Sequence, residues 1–298
     1  MWITDNPPPP NEHPISQGTM QLDIIRDLRP AFYPALSPHQ EEIEGYFGNS
    51  TLREYSAEEK ARLGEIDLFF VAFTNRSGSM LLTELLHQTG FPVPAHAEVF
   101  NGDEVARVSA EQNIPTFSDF FLKLVENWAR HGQAGFKIGA NQLFWLTRTG
   151  ILSNLRSVRI INTVRRDKVA QAVSFYIARE TRVWHTAMAD ESGSSTFDSE
   201  SLEYSRDDLV RSLHNLTMNQ FLFDYYLNLH GLPVIQVEYE QVLEQPRDEV
   251  ERIIKFLNYR GADPNLVDIE QVGIRQQRSA VNDRLIAQFR QEFNWDTN

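Results

Sequence analysis

From Phe69 to Leu82 the chain runs Phe-Phe-Val-Ala-Phe-Thr-Asn-Arg-Ser-Gly-Ser-Met-Leu-Leu. A short apolar run of this kind fits a buried strand. It breaks at a small polar loop with one Arg and one Gly, and a helical pattern then begins at once. Strand, tight loop and helix N-terminus in succession gather free backbone N–H groups and the positive end of a helix dipole at one spot, which makes an anion site. The loop lacks the Gly-Lys-Ser/Thr ending of a Walker A motif. A phosphate-binding loop without that Lys points away from ATP hydrolysis.

The alternation that starts at Asp67 sets the fold class. After the loop, Leu81, Leu82, Leu85 and Leu86 share one helical face, and Gly90 stands where that helix should stop. A helix is expected over 116–130, a short strand at Phe136–Ile138 and a third strand at Val158–Val164. Asp167 then caps a long helix with Val169, Ala172, Val173, Tyr176 and Ile177 on its apolar face. A helix over 206–230, a strand at Pro233–Val237, a helix opened by Pro246 and a last helix at Ser279–Phe293 complete the pattern. Strands separated by helices predict an α/β fold: a P-loop-like central parallel sheet flanked by helices. Pro7–Pro10 marks residues 1–20 as an extended arm. Residues 21–65 hold helical patterns at Gln40–Phe47 and Ala57–Leu63 and are expected to form a peripheral cap, leaving 66–298 as the main domain. The Ser/Asp/Glu/Gly-rich stretch 188–205 suits a loop or lid.

Charge restricts the partners. The net charge is −13, so nucleic acid and anionic lipid are repelled and an anionic ligand needs a local cluster of Arg, Lys and amides. The chain has no cysteine, which removes disulfides and thiolate chemistry and fits a cytoplasmic protein. It contains no run of 18 apolar residues, so no membrane span is expected. No metal-ligand spacing stands out, so no metal is expected.

Three separated pieces read as parts of one site: Thr74–Ser79, Val164–Phe175 and Gly273–Ser279. The first two each follow an expected strand and so reach the carboxyl edge of the sheet, where such folds bind ligands. An apolar strand, Arg-Ser-Gly-Ser, a helix, and later a strand ending in Arg with Ser eight residues on resembles the sulfotransferases that use 3′-phosphoadenosine 5′-phosphosulfate (PAPS). Arg165-Arg166-Asp167-Lys168-Val169-Ala170-Gln171-Ala172-Val173-Ser174, the segment Tyr239–Val242 and Arg275-Gln276 resemble one branch, the bacterial carbohydrate sulfotransferases typified by trehalose 2-sulfotransferase. The resemblance covers about residues 66–292.

It implies transfer of a sulfuryl group from PAPS, leaving PAP, to a hydroxyl of a carbohydrate or glycolipid, without metal and in a possible homodimer. Thr74, Asn75, Arg76, Ser77, Gly78, Ser79 and Met80 would cradle the 5′-phosphosulfate. Arg166 with Ser174 would hold the 3′-phosphate, with neighbouring Arg165 the alternative. Arg275 and Arg278 would close over the nucleotide. Arg76 would stabilise the leaving charge, and Glu98 would be the general base, with His96 competing for that role. Lys137 is either a cation for the sulfate or a surface lysine. Trp184 and His185 are candidates for a sugar face, a subunit interface or, more simply, a buried aromatic at a helix end. Two rival readings are a P-loop kinase of a small metabolite, which Gly78-Ser79-Met80 does not suit, and a non-catalytic nucleotide-binding protein of the same fold.

Overall fold

The computed structural model describes residues 38–184, 202–272 and 280–293. The chain divides into two units, Met1–Ala35 and Leu36–Asn298. The first lies outside the described residues, so the expected arm and the first part of the expected cap do too. Within the second unit, helices α1 (Pro38–Phe47) and α2 (Ala57–Leu63) precede strand β1 (Asp67–Phe73). Then follow α3 (Ser79–Gln88), α4 (Gly102–Glu111), α5 (Phe117–Trp128), β2 (Gln133–Gly139), α6 (Ala140–Arg148), β3 (Ser157–Val164) and α7 (Lys168–Thr181). The rest is α8 (Arg206–His230), β4 (Val234–Glu238), α9 (Tyr239–Glu244), α10 (Pro246–Leu257) and α11 (Ala280–Glu292).

The strands form one parallel sheet in the order β2-β1-β3-β4. Phe70 pairs with Phe136 on one side and Ile160 on the other, and Phe73 with Gly139 and Thr163. Because all four strands run the same way, Thr74, Ala140, Arg165 and Tyr239 all leave the sheet at one edge. The chain steps from β1 to one side for β2 and to the other side for β3. The crevice between β1 and β3 is therefore the point where the winding reverses, the place where folds of this type seat ligands.

Side-chain alternation along β1 supplies two cores. Phe69 and Val71, with Ile161 and Val237, pack against Leu81, Leu82, Leu85 and Leu86 of α3 and Val250, Ile253 and Leu257 of α10. Phe70 turns to the other face and meets the Phe100 ring edge-on at 6.1 Å. A separate cluster joins Val169, Val173 and Tyr176 of α7 to Leu209 of α8, Val281, Leu285 and Phe289 of α11, and Leu202.

Several elements differ from the sequence reading. β2 is longer than Phe136–Ile138, running Gln133–Gly139, because its flanks are a Gln and small residues that are buried without looking like strand. Helix α6 begins directly at the end of β2 with no connector, and α4 buries only Gly102, Val105 and Ser109, too few apolar residues to register as a periodic face. The final helix begins at Ala280. Most of the expected lid, His185, Arg275 and Arg278 lie outside the described residues.

Candidate active site

The loop after β1 is tied down from beneath. Ser77 is 1% exposed, and its hydroxyl meets Thr163 Oγ1 of β3 at 2.9 Å. Gln171 of α7, fully buried, donates to Thr74 Oγ1 at 3.0 Å and to the Asn75 carbonyl at 2.8 Å. Two residues of the loop hold left-handed backbone, Arg76 at φ 63° and Gly78 at φ 92°. For Gly78 the conformation is matched by crowding: a Cβ there would stand 2.3 Å from Cδ2 of Tyr239. A non-glycine residue with positive φ costs energy and persists where its surroundings impose it, commonly at functional sites. Ser79 is buried at the first turn of α3, Asn75 is exposed and Met80 half-buried.

Arg76 is half-buried and reaches across the switch point. Its Nε donates to Ser174 Oγ of α7 at 2.9 Å and its Nη1 to the Trp184 carbonyl at 2.6 Å. Burial above all, and the like charge of Arg165 next, hold its guanidinium below the ordinary arginine value. Arg76 and Arg165 both line the same cavity, which Asp167, Glu240 and Glu244 also line.

A cavity of about 360 Å³ opens here, lined among others by Arg76, Arg165, Ser174, Tyr239, Asn282 and Arg290. Its size falls in the range of small-molecule sites, roughly 300–1,000 Å³. The Arg165 guanidinium lies 5.0 Å from the centre of the Tyr239 ring. Its Nε is buried without a hydrogen-bond partner among the described residues. Tyr239 thus lies against both turns, Gly78 on one and Arg165 on the other. Arg290 comes from α11 and donates to Asp167 Oδ2 at 2.8 Å, while Asp167 Oδ1 caps α7 by accepting the Ala170 N–H.

The neighbouring arginine behaves differently. Arg166 is exposed and forms an ion pair with Glu238 at 2.6 Å, and it is not among the residues lining the cavity. The sequence reading pairs Arg166 with Ser174 and keeps Arg165 as the alternative; of the two arginines, Arg165 lines the cavity together with Ser174. The carboxylate of Glu240 sits on the turn and accepts the backbone N–H groups of Arg166 and Asp167 at 3.0 and 3.2 Å. Those amides are committed, so an anion in the cavity is met by side chains from this second turn.

Glu98 and His96 lie on the segment after α3, which Thr83 ties to the helix through the Ala95 carbonyl at 2.8 Å. His96 is largely exposed and pairs with Glu84 at 3.1 Å. Glu98 instead points to the sheet, and Lys137 Nζ donates to its Oε1 at 2.8 Å. Lys137 is therefore not the surface lysine that was one alternative; it is 1% exposed. The Trp184 ring lies 6.0 Å from the Phe175 ring. Away from this edge, exposed Glu42 and Asp103 come within 4.8 Å of half-buried His39, whose Nδ1 already accepts the Gly102 N–H.

Sequence reasoning missed Tyr239 as a contact of the Gly78 loop, and it missed Arg290 and Asn282. The signal for Tyr239 was available, since it directly follows the fourth strand and so must emerge at the active edge. For Arg290 only a helical pattern could be seen, without the face it presents.

Residues 147–292 match the model of the Stf0 sulphotransferase family. The C-terminal half of this chain belongs to that family. The match takes in β3, Arg165, Ser174, Tyr239 and Arg290; the Arg76 loop, Glu98 and Lys137 precede it. A search among curated proteins finds no match. The chain is thus a transferase of the sulphotransferase type. No described helix is long and apolar enough to cross a membrane.

Proposed function

We propose that this Stf0-family chain transfers a sulfuryl group from PAPS to a hydroxyl of a carbohydrate or glycolipid. The observation that carries the reading is the convergence of Arg76, Arg165 and Ser174 in one cavity at the switch point of the sheet. The residues present fit the nucleotide on two grounds. Arg165 Nε is a buried donor lacking a partner among the described residues, and at Gly78 a Cβ would fill the space against Tyr239. PAPS, when bound, supplies the sulfuryl group and a phosphate leaving group.

The chain's own residues then have distinct tasks. The Thr74–Ser79 loop and the start of α3 receive the 5′-phosphosulfate with N–H groups and the helix dipole. Arg76 stabilises the negative charge left on the bridging oxygen, which favours the transition state because the group is fixed beforehand. Arg165 and Ser174 hold the 3′-phosphate, Arg165 taking the place first given to Arg166. Arg275 and Arg278 retain their proposed role from the C-terminal side. Glu98 takes the acceptor proton as the hydroxyl attacks, with His96 the competing base. As in phosphoryl transfer, positioning and charge stabilisation do most of the work and no metal is required.

The test joins binding to transfer. PAP should raise the melting temperature, by an amount equivalent to about 2.7 kcal/mol at a hundredfold excess over Kd, and more than adenosine 5′-phosphate does. Labelled sulfate from PAPS should pass to a member of a panel of sugars and glycolipids that includes trehalose. No shift at millimolar PAP together with no transfer would overturn the reading.

A further inference from the structure

Lys137 is a buried cation in the middle of β2 that the transfer chemistry above does not use. Its side chain is 0% exposed, and its Nζ lies 5.0 Å from the centre of the Phe73 ring, the last residue of β1 before the Arg76 loop. Its ammonium donates to Glu98 Oε1 at 2.8 Å. The second oxygen of Glu98 accepts from Asn101 Nδ2 at 3.2 Å. Asn101 Oδ1 in turn accepts from Gln142 Nε2 at 3.0 Å, and Gln142 Oε1 accepts the Gly139 N–H at 2.8 Å. The Glu98 carboxylate is therefore held at both oxygens. The line of contacts begins at one residue of β2 and returns to the backbone at the end of the same strand.

Stability alone does not call for this arrangement. Removing an ammonium from water costs several kcal/mol, and a pair in the interior is often no better than apolar side chains of the same volume. Burial pushes the Lys137 amine down, and the Glu98 charge opposes that. An apolar residue of similar length would suit a strand flanked by Phe136 and Ile138. A lysine here is best accounted for by what it does to Glu98.

We propose that Lys137 is a positioning residue for sulfuryl transfer: it anchors one oxygen of Glu98 while Asn101, braced by Gln142, fixes the other. This rests on the reading that Glu98 is the base. In that step the acceptor proton passes to the Glu98 carboxylate as the acceptor oxygen forms its bond to sulfur. The bond from sulfur to the phosphate oxygen breaks, and its electron pair stays on that oxygen. A base must sit within hydrogen-bond reach of the proton it removes, and misplacement by about 1 Å can cost roughly 100-fold. Two rigid anchors on a carboxylate carried by an irregular segment meet that requirement. On the same segment, His96 Nε2 lies 3.1 Å from Glu84 Oε2.

The test is a double-mutant cycle on turnover with PAPS and the sugar that reacts fastest in the panel. Lys137→Met should lower kcat about 10- to 100-fold, leave the KM for PAPS and the affinity for PAP unchanged, and have little further effect when Glu98 is already Gln. Asn101→Ala should follow the same pattern with a smaller loss, and it covers the case in which Lys137→Met folds poorly. A crystal structure of either variant should find the Glu98 carboxylate displaced. Equal losses in the native and Glu98→Gln backgrounds, an unchanged kcat, or an unmoved carboxylate overturns the inference while the base reading stands. Full turnover in Glu98→Gln overturns both, and PAP binding still reports on the nucleotide site separately.

Discussion

Two cations of neighbouring strands, Arg76 in the loop after β1 and Lys137 within β2, are held in opposite ways. Arg76 donates to a hydroxyl and a carbonyl and shares its crevice with a second guanidinium. Lys137 is more deeply buried and faces a carboxylate at 2.8 Å. The first sits in a cavity where Arg165 adds like charge. The second already contains its anion and gains nothing from another. On the proposed reading the sheet divides its labour: Arg76 and Arg165, set among the carboxylates of Asp167, Glu240 and Glu244, serve the donor, and the Lys137–Glu98 pair at β2 serves the base.

The largest effect is expected at the donor side. Arg76→Ala should lower kcat by about 100- to 1,000-fold, the usual loss when a donor to developing charge is removed. Steady-state kinetics with PAPS checks this, and a loss below tenfold would reduce Arg76 to an ordinary binding group and erase the contrast with Lys137. Next comes Gly78→Ala, which combines φ 92° with a collision against Tyr239. It should cost roughly 1–3 kcal/mol, shared between the melting temperature and PAP affinity. Calorimetry and titration of one sample separate the two, and unchanged values in both would remove Tyr239 as the link between the turns. The most discriminating pair is the smallest. Arg165→Ala should weaken PAP by about tenfold or more, in keeping with roughly 1.5–3 kcal/mol for a hydrogen bond to a charged group, and weaken adenosine 5′-phosphate far less. Arg166→Ala should leave both nucleotides near their parental affinity, because its guanidinium is engaged by Glu238. The reverse outcome would restore the original assignment.

The contrast between these neighbouring arginines also marks how far sequence reading could go. The β1 unit was legible because everything that defines it is local: an apolar run, a Gly and a Leu-rich helical face within Phe69–Leu86. The different surroundings of Arg165 and Arg166 were not, because they depend on Glu238 and Tyr239 from β4 and α9, 72 residues away in the case of the Arg166–Glu238 bond. Glu98 and Lys137 were each visible as candidates, yet their pairing depends on a connector folding back onto β2 across 39 residues. The same limit hid α6, which follows β2 without the polar punctuation that usually separates elements. Strand order followed from the alternation only as far as a parallel sheet; that β1 lies inside and β2 at an edge is known from the pairing itself.

The bond from Arg290 to Asp167 spans 123 residues of chain. During synthesis the turn after β3 therefore leaves the ribosome long before the helix that walls it in. A ligand of this cavity cannot guide the early steps of folding by binding a finished pocket, and any benefit it brings to the yield of folded protein is reserved for chains whose translation has passed α11.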